Sequence, residues 1–259
     1  MLHFNGADNR QHLLFIPALG TPAKYYRYFA EALCQQGVSV SVLELRGYGD
    51  SPYRVGRGAD FAMQDLLADV IAAYQTLCDQ SPNMDVILGG HSLGGHLAML
   101  AAAELQTPKK LLMVAHGMPY WRFYHGAMKV NILVIVALIK CLGPLLGYFP
   151  GHRLGFAGRE ALSVMQDWSR WALHGRYPKR FYSGLASYSG LLYGIDIEGD
   201  VMTPADVSKK SAAVMPRAKQ FRRYVILPHA NKNPHHTWAK ADNASKVANE
   251  IYELLQVEQ

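Results

Sequence analysis

The sequence predicts an α/β architecture: a mostly parallel sheet flanked by helices, with a helical segment inserted before its last strands. Three observations carry this. Short apolar runs alternate with longer amphipathic stretches from His12 to Ala115, and strand alternating with helix at this spacing is the pattern of a parallel sheet. The alternation stops at His116 and resumes at Leu191, so one segment interrupts an otherwise continuous core. The loops at Pro17–Thr21, Arg46–Pro52 and His91–Gly95 each follow a strand candidate. They therefore share the sheet edge beyond the strand carboxyl ends, where sites in such folds lie.

The elements follow in order. His12 to Ile16 is a short apolar run ended by Pro17, read as a strand. Tyr25 to Gln35 carries Tyr25, Tyr28, Phe29, Ala32 and Leu33 at helical spacing, and Gly37 stops it. Val38 to Leu45 is a second strand. Phe61 to Leu77 is an amphipathic helix with Asp65 and Asp69 near its start, where carboxylates suit the helix dipole; both are read as solvated. Val86 to Leu88 is a buried strand, Leu97 to Leu105 an Ala- and Leu-rich helix, and Leu111 to Ala115 the next strand.

From His116 to about Leu191 the chain is rich in aromatics and glycine, with helical stretches and no clear strand. Ile132 to Ile139 is uninterrupted apolar sequence, broken at Lys140 and again at Gly143-Pro144. That is short of the roughly 20 apolar residues of a spanning helix. It reads as a buried cap helix, or as a lid helix whose apolar face meets a lipid-like substrate or a membrane surface. Trp121, Phe123, Tyr124, Trp168 and Trp171 are cap core, cleft lining, or both. Leu191 to Ile197 and Arg223 to Leu227 are the last strands, and Lys240 to Leu255 closes the chain as a helix. The expected division is a core of residues 1–115 and 192–259 with a helical cap at 116–191.

With 259 residues, 50% of them hydrophobic, the chain can bury one substantial domain with an insertion. Three cysteines, Cys34, Cys78 and Cys141, lie far apart, which argues against a disulfide framework or a metal cluster and for a reducing compartment. The opening MLHFNGADNR lacks the pattern of a signal peptide, so a cytoplasmic location is expected. No cofactor or metal motif is read. The formal charge is +6, and Lys209, Lys210, Arg217, Lys219, Arg222 and Arg223 lie close together. They read as a solvated helix face, and with no nucleic-acid motif beside them no nucleic-acid partner is expected.

The chemistry centres on Gly90-His91-Ser92-Leu93-Gly94, a G-x-S-x-G match with a strand before it and a helix after it. In such an elbow the serine is held in a strained backbone conformation over the helix N-terminus, whose N–H groups favour negative charge. Its neighbours two positions away must be small because the turn brings backbones together.

These residues, with Glu44-Leu45-Arg46-Gly47-Tyr48-Gly49-Asp50-Ser51-Pro52 after the second strand, resemble the α/β-hydrolase fold family. The resemblance implies the order nucleophile, acid, histidine. The nucleophile is Ser92. The acid is Asp200, four residues before Pro204, ahead of Asp196 inside the strand and Asp206 beyond the turn. The histidine falls among His229, His235 and His236, with His235 favoured by its spacing to Trp238, although Pro234 stands where the family has glycine. In an extended loop the side chains of His235 and His236 would point apart, so only one would face Ser92. The oxyanion donors implied are the backbone N–H groups of Leu93 and, from the first loop, Leu19. His116 is expected in the cleft or cap, and His91 and His96 as packing residues.

The expected function is a serine hydrolase acting on a small-molecule carboxylic ester, lipid-like in its acyl chain, with contact between the cap and a membrane surface as a further expectation. Two other classes share the fold: an acyltransferase using the same triad, and a binding protein without catalysis.

Overall fold

The computed structural model describes residues 1–7, 10–229 and 233–257. Its centre is a seven-stranded sheet built from β1 (Leu2–Phe4), β2 (Gln11–Ile16), β3 (Ser39–Val42), β4 (Asp85–His91), β5 (Lys110–Val114), β8 (Leu191–Ile197) and β9 (Lys219–Val225). The order is β1-β3-β2-β4-β5-β8-β9, parallel throughout except for β1, which runs antiparallel to β3. Successive strand residues point to opposite faces, and here both faces are covered. Leu14, Ile16, Leu88, Leu111 and Met113 belong to the core shared with α2 (Met63–Gln80) and α3 (Leu93–Leu105). Leu13, Phe15, Ile87, Leu112 and Val114 belong to the core shared with α1 (Arg27–Gln35) and α10 (Ala241–Leu255). Burial on both sides is why these strands read as unbroken apolar runs.

Between β5 and β8 the chain leaves the sheet. It forms α4 (Gly126–Leu146), β6 (Tyr148–Pro150), α5 (Gly151–Leu154), β7 (Arg159–Ala161), α6 (Leu162–His174) and α7 (Tyr182–Ser187). Ile132, Val136 and Ile139 of α4 make a small separate core with Phe149, Met165 and Trp168. Trp171, Phe181 and Leu185 instead join the core that covers α2 and α3. After β8 come α8 (Ala205–Ala212) and the one-turn α9 (Pro234–Thr237).

Four expectations are corrected. The insertion is not free of strands, because β6 and β7 pair antiparallel. The apolar helix does not break at Gly143-Pro144: α4 runs on to Leu146 and ends on Gly147, at φ 76°. Pro144 stands in the last turn, and Gly143 is there for close approach, since a Cβ on it would lie 2.3 Å from Leu162 Cδ1. The last strand lies earlier than Arg223–Leu227, because β9 is an edge strand with few buried residues and a weak apolar signal. The basic cluster is no single helix face, since it divides among α8, the turn after it and β9, and Arg222 turns inward to Asp196 at 2.6 Å.

Candidate active site

The elbow stands between β4 and α3. Ser92 has φ 52° and ψ −113°, a left-handed conformation that costs a side-chain-bearing residue of order 1–3 kcal/mol. Its N–H donates to Val114 O at 3.1 Å, which fixes the turn to the end of β5. The flanking glycines are sterically required. A Cβ on Gly90 would lie 2.3 Å from the Gly94 carbonyl carbon, and a Cβ on Gly94 would lie 2.0 Å from Ile16 O.

The first loop sits beside it. The Ala18 N–H donates to Tyr26 Oη at 2.9 Å and the Gly20 N–H to Tyr48 Oη at 3.1 Å. Among the described residues the Leu19 N–H between them has no such partner. Tyr48 in turn donates to Glu160, whose other oxygen accepts the Gly158 N–H at 2.6 Å. Glu160 is 2% exposed, and burial pushes its carboxyl up to about 7 against the pull of those two hydrogen bonds. This chain ties the Leu19 loop to the insertion. Sequence reasoning missed both residues; one available signal was that Glu160 is the first acid after Glu104. It also read Asp69 as solvated. Asp69 instead holds the Tyr48 loop in place by taking Arg46 in two hydrogen bonds of 2.5 and 2.8 Å.

Asp200 follows β8 in a turn. Its Oδ1 accepts the N–H groups of Met202 and Thr203, and its Oδ2 accepts the Thr203 hydroxyl at 2.6 Å and His235 Nδ1–H at 2.8 Å. Burial alone would raise its carboxyl, but the charge and hydrogen bond of His235 and the Thr203 bonds together hold it below the usual carboxylate range. Asp196 lies within β8 and is taken by Arg222, and Asp206 pairs with Lys210 at the start of α8. The His229 N–H donates to Asn243 Oδ1 at 3.0 Å.

His235 stands on α9, and Pro234 opens that turn. Proline suits the first helical position because its fixed φ is helical and its missing N–H would be unpaired there anyway. The turn also corrects the expectation that adjacent rings diverge: His235 and His236 both line the same cavity, with ring centroids 5.0 Å apart. His236 makes no hydrogen bond to Asp200 among the described residues, and burial first, then the His235 charge, lowers its imidazole to about 4.

His91, His96 and His116 are buried. His91 Nδ1 meets Tyr26 Oη at 2.8 Å, and the ring sits against His235 and Trp238. His96 lines the cavity, meets Tyr177 Oη at 2.5 Å and donates from Nε2 to Gly117 O at 3.2 Å; burial lowers it to about 4. His116 is buried against His96 at 4.2 Å between centroids, beneath Gly95, and does not line the cavity.

Ser92, Leu93, Leu19 and His235 open on one cavity of about 430 Å³. Its remaining wall is mainly apolar: Met128, Ile132, Ile135 and Leu138 of α4, with Phe149, Phe156 and Trp168. Among the described residues no carboxylate lines it. Among the described residues no three His, Cys, Asp or Glu side chains group as a metal site.

The family profile described as serine aminopeptidase, S33, matches residues 7–137, half the chain. No curated protein matches in sequence. Among solved structures, a soluble variant of monoglyceride lipase from Saccharomyces cerevisiae, in complex with a substrate analog, is similar with a TM-score of 0.72 at 13% identity, over 98% of this chain and 90% of that one. A Butyrivibrio proteoclasticus protein with ferulic acid bound gives 0.66 at 14%, over 98% and 92%. The thioesterase domain from the curacin biosynthetic pathway gives 0.58 at 16%, over 96% and 93%. At these identities the likeness is one of fold. The family rests on the matched profile, which spans β2 to β5 with the elbow between them: the chain belongs to the serine aminopeptidase S33 family of α/β-hydrolases.

Proposed function

We propose that this protein is a serine hydrolase of carboxylic esters with a lipophilic acyl chain. The observation that carries the reading is one mainly apolar cavity lined by both the strained Ser92 and His235, whose Nδ1–H is held by Asp200. A serine hydroxyl is a poor nucleophile at neutral pH, so it needs a base beside it. In this reading His235 Nε2 takes the Ser92 proton as Oγ attacks the acyl carbon. Asp200 fixes the Nδ1–H tautomer and stabilises the imidazolium. The N–H groups of Leu93 and Leu19 receive the developing oxyanion. His235 then protonates the leaving alcohol, and water, activated by the same imidazole, releases the acid from the acyl-enzyme.

The family description names an aminopeptidase, which must bind a cationic α-amino group. A lining without a carboxylate among the described residues favours an uncharged acyl chain over a peptide N-terminus. The free thiols Cys34, Cys78 and Cys141 fit a cytoplasmic enzyme.

An ester panel of increasing acyl length tests the proposal, with a matched panel of aminoacyl amides. kcat/KM should rise from acetyl towards decanoyl, by at most about 0.8 kcal/mol per methylene buried, and the amides should turn over poorly. A flat ester profile, or a preference for the amides, contradicts the lipophilic site.

A further inference from the structure

The face of α4 turned away from the fold is uncovered and apolar. Its inward stripe, Ile132, Val136, Ile139 and Gly143, is buried. An amphipathic helix so placed should present polar side chains on its other face. Instead Val130 is 57% exposed, Val134 49% and Leu145 70%, with Leu133 and Leu146 exposed beside them. Over its most apolar window the mean hydropathy is 2.0 and only 22% of the window is buried. By length and composition α4 could cross a bilayer. Its inward stripe ties it to the fold, so it lies along the surface.

Charge says what this face suits. Between Glu104 and Glu160 the chain has no Asp or Glu, while Arg122, Lys129, Lys140, Arg153 and Arg159 all fall there. Arg122 and Lys129 lie over the Trp121 ring near the start of α4, at 5.1 and 4.9 Å. Arg57 reaches the Leu145 carbonyl at its other end, at 3.5 Å. Asp206, which shares a pocket with the first turns of α4, is paired with Lys210. An apolar strip with cations and a tryptophan at its margin is complementary to a bilayer carrying anionic headgroups. A second copy docked through the same face would set like charges together.

We propose that α4 docks this protein on an anionic lipid bilayer, lying in the interface with Val130, Leu133 and Leu145 inserted. Val134 is both exposed on this face and part of the cavity wall, so docking sets the cavity beside the lipid phase. The proposal does not rest on the hydrolase reading, because its readout is binding.

The test is co-sedimentation of the full-length Ser92→Ala protein with vesicles of phosphatidylcholine alone or with phosphatidylglycerol added. Binding should favour the anionic vesicles and weaken with salt. Val130→Asp combined with Leu145→Asp should lower the partition coefficient about tenfold or more. The same pair in the wild-type background should leave hydrolysis of a water-soluble acetyl ester unchanged, which also reports correct folding. Three results would overturn the proposal: no binding to either vesicle, binding that the double substitution leaves intact, or a dimer in gel filtration that the substitutions return to monomer without any vesicle binding. If no ester is hydrolysed but the vesicles still bind, the functional reading fails and this one stands.

Discussion

The elbow and the insertion meet at one cavity, yet they are specified in different ways. Around Ser92 the backbone dictates the residues, because a methyl group on Gly90 or Gly94 would collide with main-chain atoms within 2.3 Å. In the insertion, α4 is held by Ile132, Val136 and Ile139 against Phe149 and Trp168, a contact that many apolar residues of similar volume could make. A site dictated by backbone geometry tolerates almost no change. A wall made by apolar packing tolerates much and can change specificity without loss of chemistry.

The sharpest contrast is in rate. If Ser92 and His235 are the proposed nucleophile and base, Ser92→Ala and His235→Ala should each lower kcat about 10³-fold or more, because members of such a triad act as a unit. His236→Ala, at a cavity residue that makes no hydrogen bond to Asp200 among the described residues, should lower it about tenfold or less. Steady-state kinetics on one soluble ester decides between them, and reversed phenotypes would move the base to His236.

In stability the contrast repeats on a smaller scale. Gly94→Ala should cost about 3 kcal/mol or more, since the obstacle is backbone and cannot rotate away. Ile135→Leu in the cavity wall should cost under about 1.5 kcal/mol, as volume-conserving swaps do. Urea denaturation of both variants checks this, and equal costs would dissolve the comparison.

The Tyr48–Glu160 connection joins the two regions. Tyr48→Phe removes the acceptor of the Gly20 N–H and the donor to Glu160. It should lower kcat about tenfold with little change in KM, less than the loss of a direct oxyanion donor, which costs about 10²–10³. A rise in KM at constant kcat would show that the connection shapes the pocket and not the Leu19 loop.

Acid should weaken the fold gradually. His96 is held neutral, with its imidazole lowered to about 4 from 6.5, so the unfolded chain takes up a proton first as the pH falls. The stability it contributes is complete above about 6.5 and is lost as pH falls towards 4, by up to ~1.4 kcal/mol per pH unit. His12 and His236, also lowered to about 4, and the buried His91 and His116 act in the same direction. Glu160 opposes them, because its raised carboxyl holds a proton in the folded state between about 4.5 and 7. One carboxyl does not offset these histidines, so Tm should fall from pH 7.5 to 5, and His96→Gln should flatten that fall. A Tm that rises on acidification would contradict this.

Most of the sheet was legible because strands buried on both faces must be apolar throughout, and because the elbow glycines leave a literal mark. Order and spacing single out Asp200 and His235, and the structure joins these two side chains at 2.8 Å; their roles belong to the proposed function. Glu160, Tyr48 and the Arg46–Asp69 pair were not. Each acts through a partner far away in sequence, and a buried glutamate looks like a solvated one until its surroundings are known. β1, three residues long at the sheet edge, carried too little apolar signal to be seen.

The central claim, that Ser92 is the nucleophile on this cavity, is tested most directly by a fluorophosphonate probe followed by mass spectrometry of the adduct. The account predicts a single modified residue, Ser92. It also predicts that labelling is abolished in Ser92→Ala and strongly slowed in His235→Ala. Labelling retained in Ser92→Ala, or a folded wild-type protein that takes no label, would contradict it.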